Sequence, residues 1–410
     1  MRFKSGVNSV PTVFQLIHYF FTFGLLLALT GCANELGAPA AIRPWQAIRV
    51  IATSGPQEGI ALLADSEHTL AAWPGDVQTP GLRLLDLSQP GEPLILPLGT
   101  TPRQASLFAA PGHGLQLLWL DQTALGEIRL VGALLGADRQ VERGPTTIST
   151  QTVSDYTALY GRSGNLLTFW VNSGEQTSSL YFQEVDNAGR PRQAVRLSAS
   201  AARPSAAFDA QGILRVAWLE PGPPHQWTIH YAAFPSSEPS TGVDTAIGTI
   251  QLEADQSIES FSLGTDATYV YCLWSIITVR QGSSLSTTLA GLSFPSTDSA
   301  ATRPLAFGHA ALVGKNLRWP ALLSQAGSFV LVAVSATDKA TKCDSPLILT
   351  LTPNGVNAVQ PVIDNPEVGA IIGKTALTLA PDGRLHVAWP ILRENGSAAI
   401  YYAATGRRAP

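Results

Sequence analysis

Hydrophobic residues in this chain recur with a period of two. In "GILRVAWLE", Leu214, Val216 and Trp218 fall on one face of an extended strand, and in "GRLHVAWPI" Leu385, Val387 and Trp389 do the same. Alternation of this kind is the signature of a strand, since successive side chains point to opposite faces. Each of these strands follows a short apolar stretch and a turn, "FDAQG" in one case and "APDG" in the other. A polar loop and a further strand carrying tyrosine come next. No amphipathic helical stretch of useful length interrupts the pattern.

The two segments are copies of one unit, "RPSAAFDAQGILRVAW" and "KTALTLAPDGRLHVAW". Weaker copies end at Trp73, Trp119, Trp170, Trp274 and Val334, and successive copies lie 46 to 60 residues apart. A unit of this length with four short strands, A to D, predicts one blade of a β-propeller. The expected fold class is therefore all-β, a seven-bladed β-propeller with four-stranded antiparallel blades over residues 45–410. The tryptophan closing each strand B is expected in the core between blades. The seventh copy stops after its third strand, at "YYAATGRRAP", whereas "WQAIRVIAT" at 45–53 matches "RQAVRLSAS", the fourth strand of the third copy. The N-terminal strand is thus expected to complete the last blade and close the ring, which removes an exposed sheet edge.

Units such as Asp209 to Tyr231, with the pattern D-x-x-G-x-L-x-V-x-W … Y, resemble the repeats of sialidase-type, Asp-box-like propellers. The full Ser-x-Asp-x-Gly-x-Thr-Trp box is absent, and Asp209 and Asp382 fall in the A–B turn, whereas the sialidase box joins the outer strands. The resemblance implies the fold more than an activity. Sialidase chemistry would require three arginines on a substrate carboxylate, a Tyr–Glu pair and an acid. Arg103, Arg203 and Arg318 are the arginines at hand, on two levels of the ring, and Tyr156 is the nearest tyrosine.

The first 31 residues lie outside this repeat. Arg2 and Lys4 precede the apolar run from Phe14 to Leu29, and Thr30 and Gly31 follow. This is the layout of a signal peptide, with an uncleaved membrane anchor as the alternative at this length. Leu29-Thr30-Gly31-Cys32 resembles the bacterial lipobox. The resemblance implies lipidation of Cys32, cleavage before it, and attachment to a lipid bilayer through its acyl chains. Residues 32–44 then form a tether. Ala33, where an aspartate would imply inner-membrane retention, points to the outer membrane if the organism has one, with the propeller extracytoplasmic.

The formal net charge is −4 and charged residues make up 14% of the chain, so no broad basic surface for nucleic acid is expected. An exported protein could form a disulfide. Cys272 lies in the apolar "TYVYCLW" and Cys343 in the polar "TDKATKCDS", and the sequence leaves open whether they meet. The seven histidines show no metal-ligand spacing, so neither a metal nor another cofactor is expected.

Aligning the repeats gives the first position of each strand A, where the strand enters the central channel. These positions are Glu58, Gln104, Asp155, Arg203, Glu259, Trp319 and Lys374, with Arg103 and Arg318 one residue earlier in their blades. One reading is a solvated rim. The other is a mixed-charge pocket for a sugar or short peptide, with Trp319 offering a face to a sugar ring. The ligand-binding candidates are Glu58, Arg103, Asp155, Arg203, Glu259, Arg318, Trp319 and Lys374. A glycosidase needs two carboxyls roughly 5 to 10 Å apart. Glu58, Asp155 and Glu259, with Asp121 and Glu220 nearby, are the carboxyls available. The sequence therefore predicts a membrane-anchored binding or scaffold propeller for an envelope protein or glycan, with a carbohydrate-active hydrolase as the alternative.

Overall fold

A computed structural model of the protein describes residues 44–52, 59–75, 80–96, 101–112, 114–123, 125–149, 151–173, 178–235, 244–279, 285–324, 329–363, 369–393 and 398–406. The apolar N-terminal run, Cys32 and Glu58 lie outside them. No helix of the described residues is long and apolar enough to cross a membrane.

The strands form seven antiparallel sheets, each paired in chain order within its own segment except the last. Blade 4 is typical, with strand A at Ala202–Phe208, B at Leu214–Pro221, C at Gln226–Phe234 and D at Thr245–Gln251. Blade 7 takes strand A in two pieces, Gly369–Ile371 and Ala376–Leu379, then B at Leu385–Arg393 and C at Ala398–Ala404. Its fourth strand is Arg49–Ala52, which pairs Arg49 with Tyr402 and Val50 with Tyr401. The ring is closed by the N-terminal strand. The A strands neighbour one another around the centre.

The turns explain why the repeat is tight between A and B. Gly212 N–H donates to Asp209 C=O at 2.8 Å, and Gly383 N–H donates to Ala380 C=O at 2.8 Å. The glycines sit at φ 73° and 77°, the left-handed residue that a short hairpin of this type requires.

Trp73, Trp119, Trp170, Trp218 and Trp389 are at most 1% exposed, and Trp274 is buried too. Trp218 packs with Phe169, Val171 and Leu180 of blade 3, and Trp170 with Leu118 and Leu130 of blade 2. Trp73, Trp119 and Trp274 likewise pack against the preceding blade in the ring. Cys272 is buried and Cys343 partly exposed, and both are free thiols.

Candidate functional site

The six described ring positions all fall where the inner strand leaves regular pairing. Register shifts occur between Arg103 and Ser106, Val153 and Asp155, Ala202 and Ser205, Ile258 and Ser260, and Arg318 and Ala321. In blade 7 the inner strand breaks around Lys374. A bulge bends the strand and re-aims a side chain. In blades 2, 4 and 6 the bulged residue is left-handed: Gln104 at φ 45°, Arg203 at 53° and Trp319 at 50°. A non-glycine residue held there costs about 1–3 kcal/mol, and for a bulky tryptophan the conformation is rare.

Neighbouring blades hold these bulges. The Tyr156 hydroxyl of blade 3 donates to Gln104 C=O at 2.6 Å, beside Ser106 Oγ at 3.0 Å. Ser262 of blade 5 donates from Oγ to Pro320 C=O at 2.6 Å, and its neighbour Leu263 N–H donates to Ser205 Oγ at 2.9 Å. Burial pushes the Tyr156 phenol well above its ordinary pKa; the hydrogen bond with Ser106 opposes this, and the Asp155 charge adds a little to it. A phenol held protonated in this way braces the backbone and is not an activated nucleophile.

The predicted residues form two clusters. In the first, Asp155 Oδ1 accepts from Tyr156 N–H at 2.9 Å and from Gln104 Nε2 at 3.3 Å. Its Oδ2 lies 3.6 Å from Arg203 Nη1, a loose ion pair in which the Arg203 side chain stays 44% exposed. In the second, Arg318 Nε lies 3.1 and 3.3 Å from the two Glu259 oxygens, and its Nη2 donates to Oε1. The same guanidinium stacks on Trp319, 3.9 Å from the ring centre. Arg103 is half-buried opposite Leu120, and Lys374 is exposed.

The other two carboxylates are half-buried and accept from core indoles. Asp121 accepts the Trp119 indole N–H at 3.4 Å, and Glu220 Oε1 accepts from the Trp218 indole at 3.0 Å and from Ser198 Oγ at 2.6 Å.

Sequence reasoning missed one group. His230, on strand C, stacks on Trp218 and stands between two carboxylates, those of Asp244 and Glu220. Positions 220, 230 and 244 match no motif. Only the Trp218–His230 pairing across strands B and C brings them together.

At the opposite end of the ring, a polar cavity of about 340 Å³ at the blade 7–blade 1 joint is lined by Arg49, Asp65, His68, Arg384, His386 and Tyr402.

No protein-family profile matches the chain, and no curated protein sequence does. Several solved structures share the fold. A polysaccharide lyase aligns with TM-score 0.55 and 10% identity over 91% of this chain and 94% of its own. An ulvan lyase bound to a saccharide of GlcA and sulfated rhamnose aligns with TM-score 0.54 and 10% identity over 86% and 94%. The BP39L lectin of Burkholderia pseudomallei aligns with TM-score 0.53 and 12% identity over 88% and 99%. At these identities the likeness is one of fold.

Proposed function

We propose that this protein is a glycan-binding propeller whose ligand sits at the mouth of the central channel, on the bulged ring of Gln104, Asp155, Arg203, Glu259, Arg318 and Trp319. The observation that carries the reading is the left-handed backbone at Gln104, Arg203 and Trp319. Three equivalent positions in alternate blades hold a conformation that costs energy, and such strain gathers where a chain presents side chains to a ligand. An amide, a guanidinium and an indole then stand on one ring. They match the hydroxyls, an acidic group and a flat face of a sugar. Arg203 is only loosely paired and half-exposed, which suits it to a carboxylate or sulfate. The carbohydrate chemistry in the names of the lyases and the lectin supports the same reading.

Binding is favoured over hydrolysis because the described carboxylates are engaged. Asp155 and Glu259 hold arginines, and Asp121 and Glu220 hold core indoles. We further propose that a lipid on Cys32 holds the propeller on the extracytoplasmic face of a membrane. Lys374 completes the proposed rim.

The test is binding of the purified protein to an array of neutral and acidic glycans. Arg203→Ala and Trp319→Ala are expected to lose at least tenfold in affinity while melting like the native chain. Binding of no glycan, with stoichiometric capture of an envelope protein, would replace this reading with the scaffold one. Release of shortened sugars would turn it to catalysis. For the anchor, Cys32→Ser should leave the precursor uncleaved and without label from radioactive palmitate, and equal labelling would refute it.

A further inference from the structure

Glu220, His230 and Asp244 lie on the face of blade 4 turned toward blade 3, apart from the ring proposed to bind glycan. Strand pairing sets Trp218 opposite His230, and Glu220 shares the Trp218 face two residues on. Asp244 precedes strand D, whose Ala246 pairs with His230. We infer that this cluster binds a divalent transition-metal ion of the zinc type, with Glu220 Oε2 and His230 Nε2 as ligands and Asp244 orienting the imidazole.

The hydrogen bonds leave a gap of the right charge and size. Asp244 lies 2.8 and 3.0 Å from His230 Nδ1, and a carboxylate only accepts, so Nδ1 carries the proton. In a neutral imidazole Nε2 is then a bare lone pair. On the other side, Ser198 and the Trp218 indole both donate to Glu220 Oε1, which leaves Oε2 directed at that lone pair. The two acceptors stand 3.4 Å apart. Two lone pairs facing each other repel unless a positive centre lies between them. A proton there would make a charge-assisted N–H···O contact, whose usual length is about 2.7–2.9 Å. Tetrahedral zinc with bonds of about 2.0–2.2 Å to nitrogen and oxygen instead sets its ligands about 3.4 Å apart.

The surroundings fit a metal site as well. A ligating histidine that gives its other N–H to a carboxylate is the usual outer support of zinc, fixing tautomer and ring plane. Stacking on Trp218, with ring centres 5.7 Å apart, locks the same ring from the side. Polar atoms of all three side chains lie within 4.8 Å of one another. With two protein ligands, the remaining coordination positions fall to water. The two carboxylates supply two negative charges, which a divalent cation balances.

The experiment is a zinc chloride titration of the full chain, purified in detergent and stripped with EDTA, in competition with a chromogenic zinc indicator. One equivalent should bind with micromolar affinity. Glu220→Gln keeps an oxygen acceptor for Trp218 and Ser198 but loses the ligand charge, and should weaken zinc by at least tenfold without altering zinc-free melting. His230→Ala should abolish the site. Asp244→Asn should weaken it about 10–100-fold, with recovery in Asp244→Glu marking a positioning role. If the native chain takes up no zinc at micromolar concentration, or if Glu220→Gln binds it as tightly as the native chain, the inference fails. Failure here leaves the glycan reading standing, since none of these residues lies on the channel ring.

Discussion

Blades 4 and 7 are the two closest copies in the sequence, and they solve the same buried position with different chemistry. Arg215 and His386 occupy equivalent places in strand B. Each meets the tyrosine of its own strand C at 2.6 Å: Arg215 Nη1 donates to the Tyr231 hydroxyl, and His386 Nδ1 shares a hydrogen bond with the Tyr402 hydroxyl. Arg215 is charged, and Asp209 in the adjoining turn neutralises it at 2.5 Å with both side chains buried. Blade 7 has Ala380 where blade 4 has Asp209, so no carboxylate stands at that place. Burial therefore lowers the His386 pKa to about 4 and keeps the ring neutral, with the charge of Arg384 acting in the same direction.

The adjacent layer repeats the lesson. Trp218 stacks on His230 and Trp389 on Tyr401 with nearly equal geometry, 5.7 Å at 22° and 5.9 Å at 20°. Glu220 satisfies the first indole N–H. Ile391 stands at the matching place in blade 7, and among the described residues the Trp389 indole N–H has no hydrogen-bond partner. The repeat fixes backbone and ring stacking, while single substitutions decide which blade carries a charged or metal-binding cluster.

The comparison can be broken most severely at the closing strand. Blade 4 supplies its own strand D, whereas blade 7 borrows Arg49–Ala52 from the other end of the chain. Deleting residues 45–52 should shift the unfolding transition of the whole propeller by more than any substitution below. An unchanged melting midpoint would show that the borrowed strand contributes nothing. Next, Asp209→Ala strands the buried Arg215 charge and should cost about 3–5 kcal/mol by urea denaturation. A loss under about 1 kcal/mol would mean that Arg215 escapes to solvent.

A pH series separates the two blades further. The His386 pKa is near 4 in the folded chain and about 6.5 when unfolded, so the unfolded state takes up the proton first as pH falls. The stability tied to neutral His386 is present above about pH 6.5 and lost as pH drops toward 4. The full effect is about 3 kcal/mol. His386→Gln should flatten this slope. The smallest effect is expected for Glu220→Ile, which copies blade 7 and removes the acceptor of the Trp218 indole. About 1 kcal/mol should be lost in denaturant unfolding, and a stabilised variant would show that Glu220 is kept at a cost.

Much of this was legible in the chain. Alternation at Leu214, Val216 and Trp218 specified strands, and Trp73 to Trp389 marked the blades. The likeness of 45–53 to 192–200 identified the closing strand. The ring positions were legible too, because the copies align without insertions. Their bulges and left-handed backbone were not, since Gln104, Arg203 and Trp319 share no residue type that signals such a conformation. Nor did composition show that the rim charges pair across blades, Asp155 with Arg203 and Glu259 with Arg318.

By itself, then, the sequence determined the strand period, the number of blades and the way the ring closes, because each rests on local alternation and on copies that can be compared. The tertiary structure alone decided which polar groups meet. Arg215 finds Asp209 in a turn, Tyr156 reaches the Gln104 bulge in the preceding blade, and His230 comes between Glu220 and Asp244 from three separate stretches. Such contacts depend on strand register and blade packing, which bring together residues that no spacing along the chain relates.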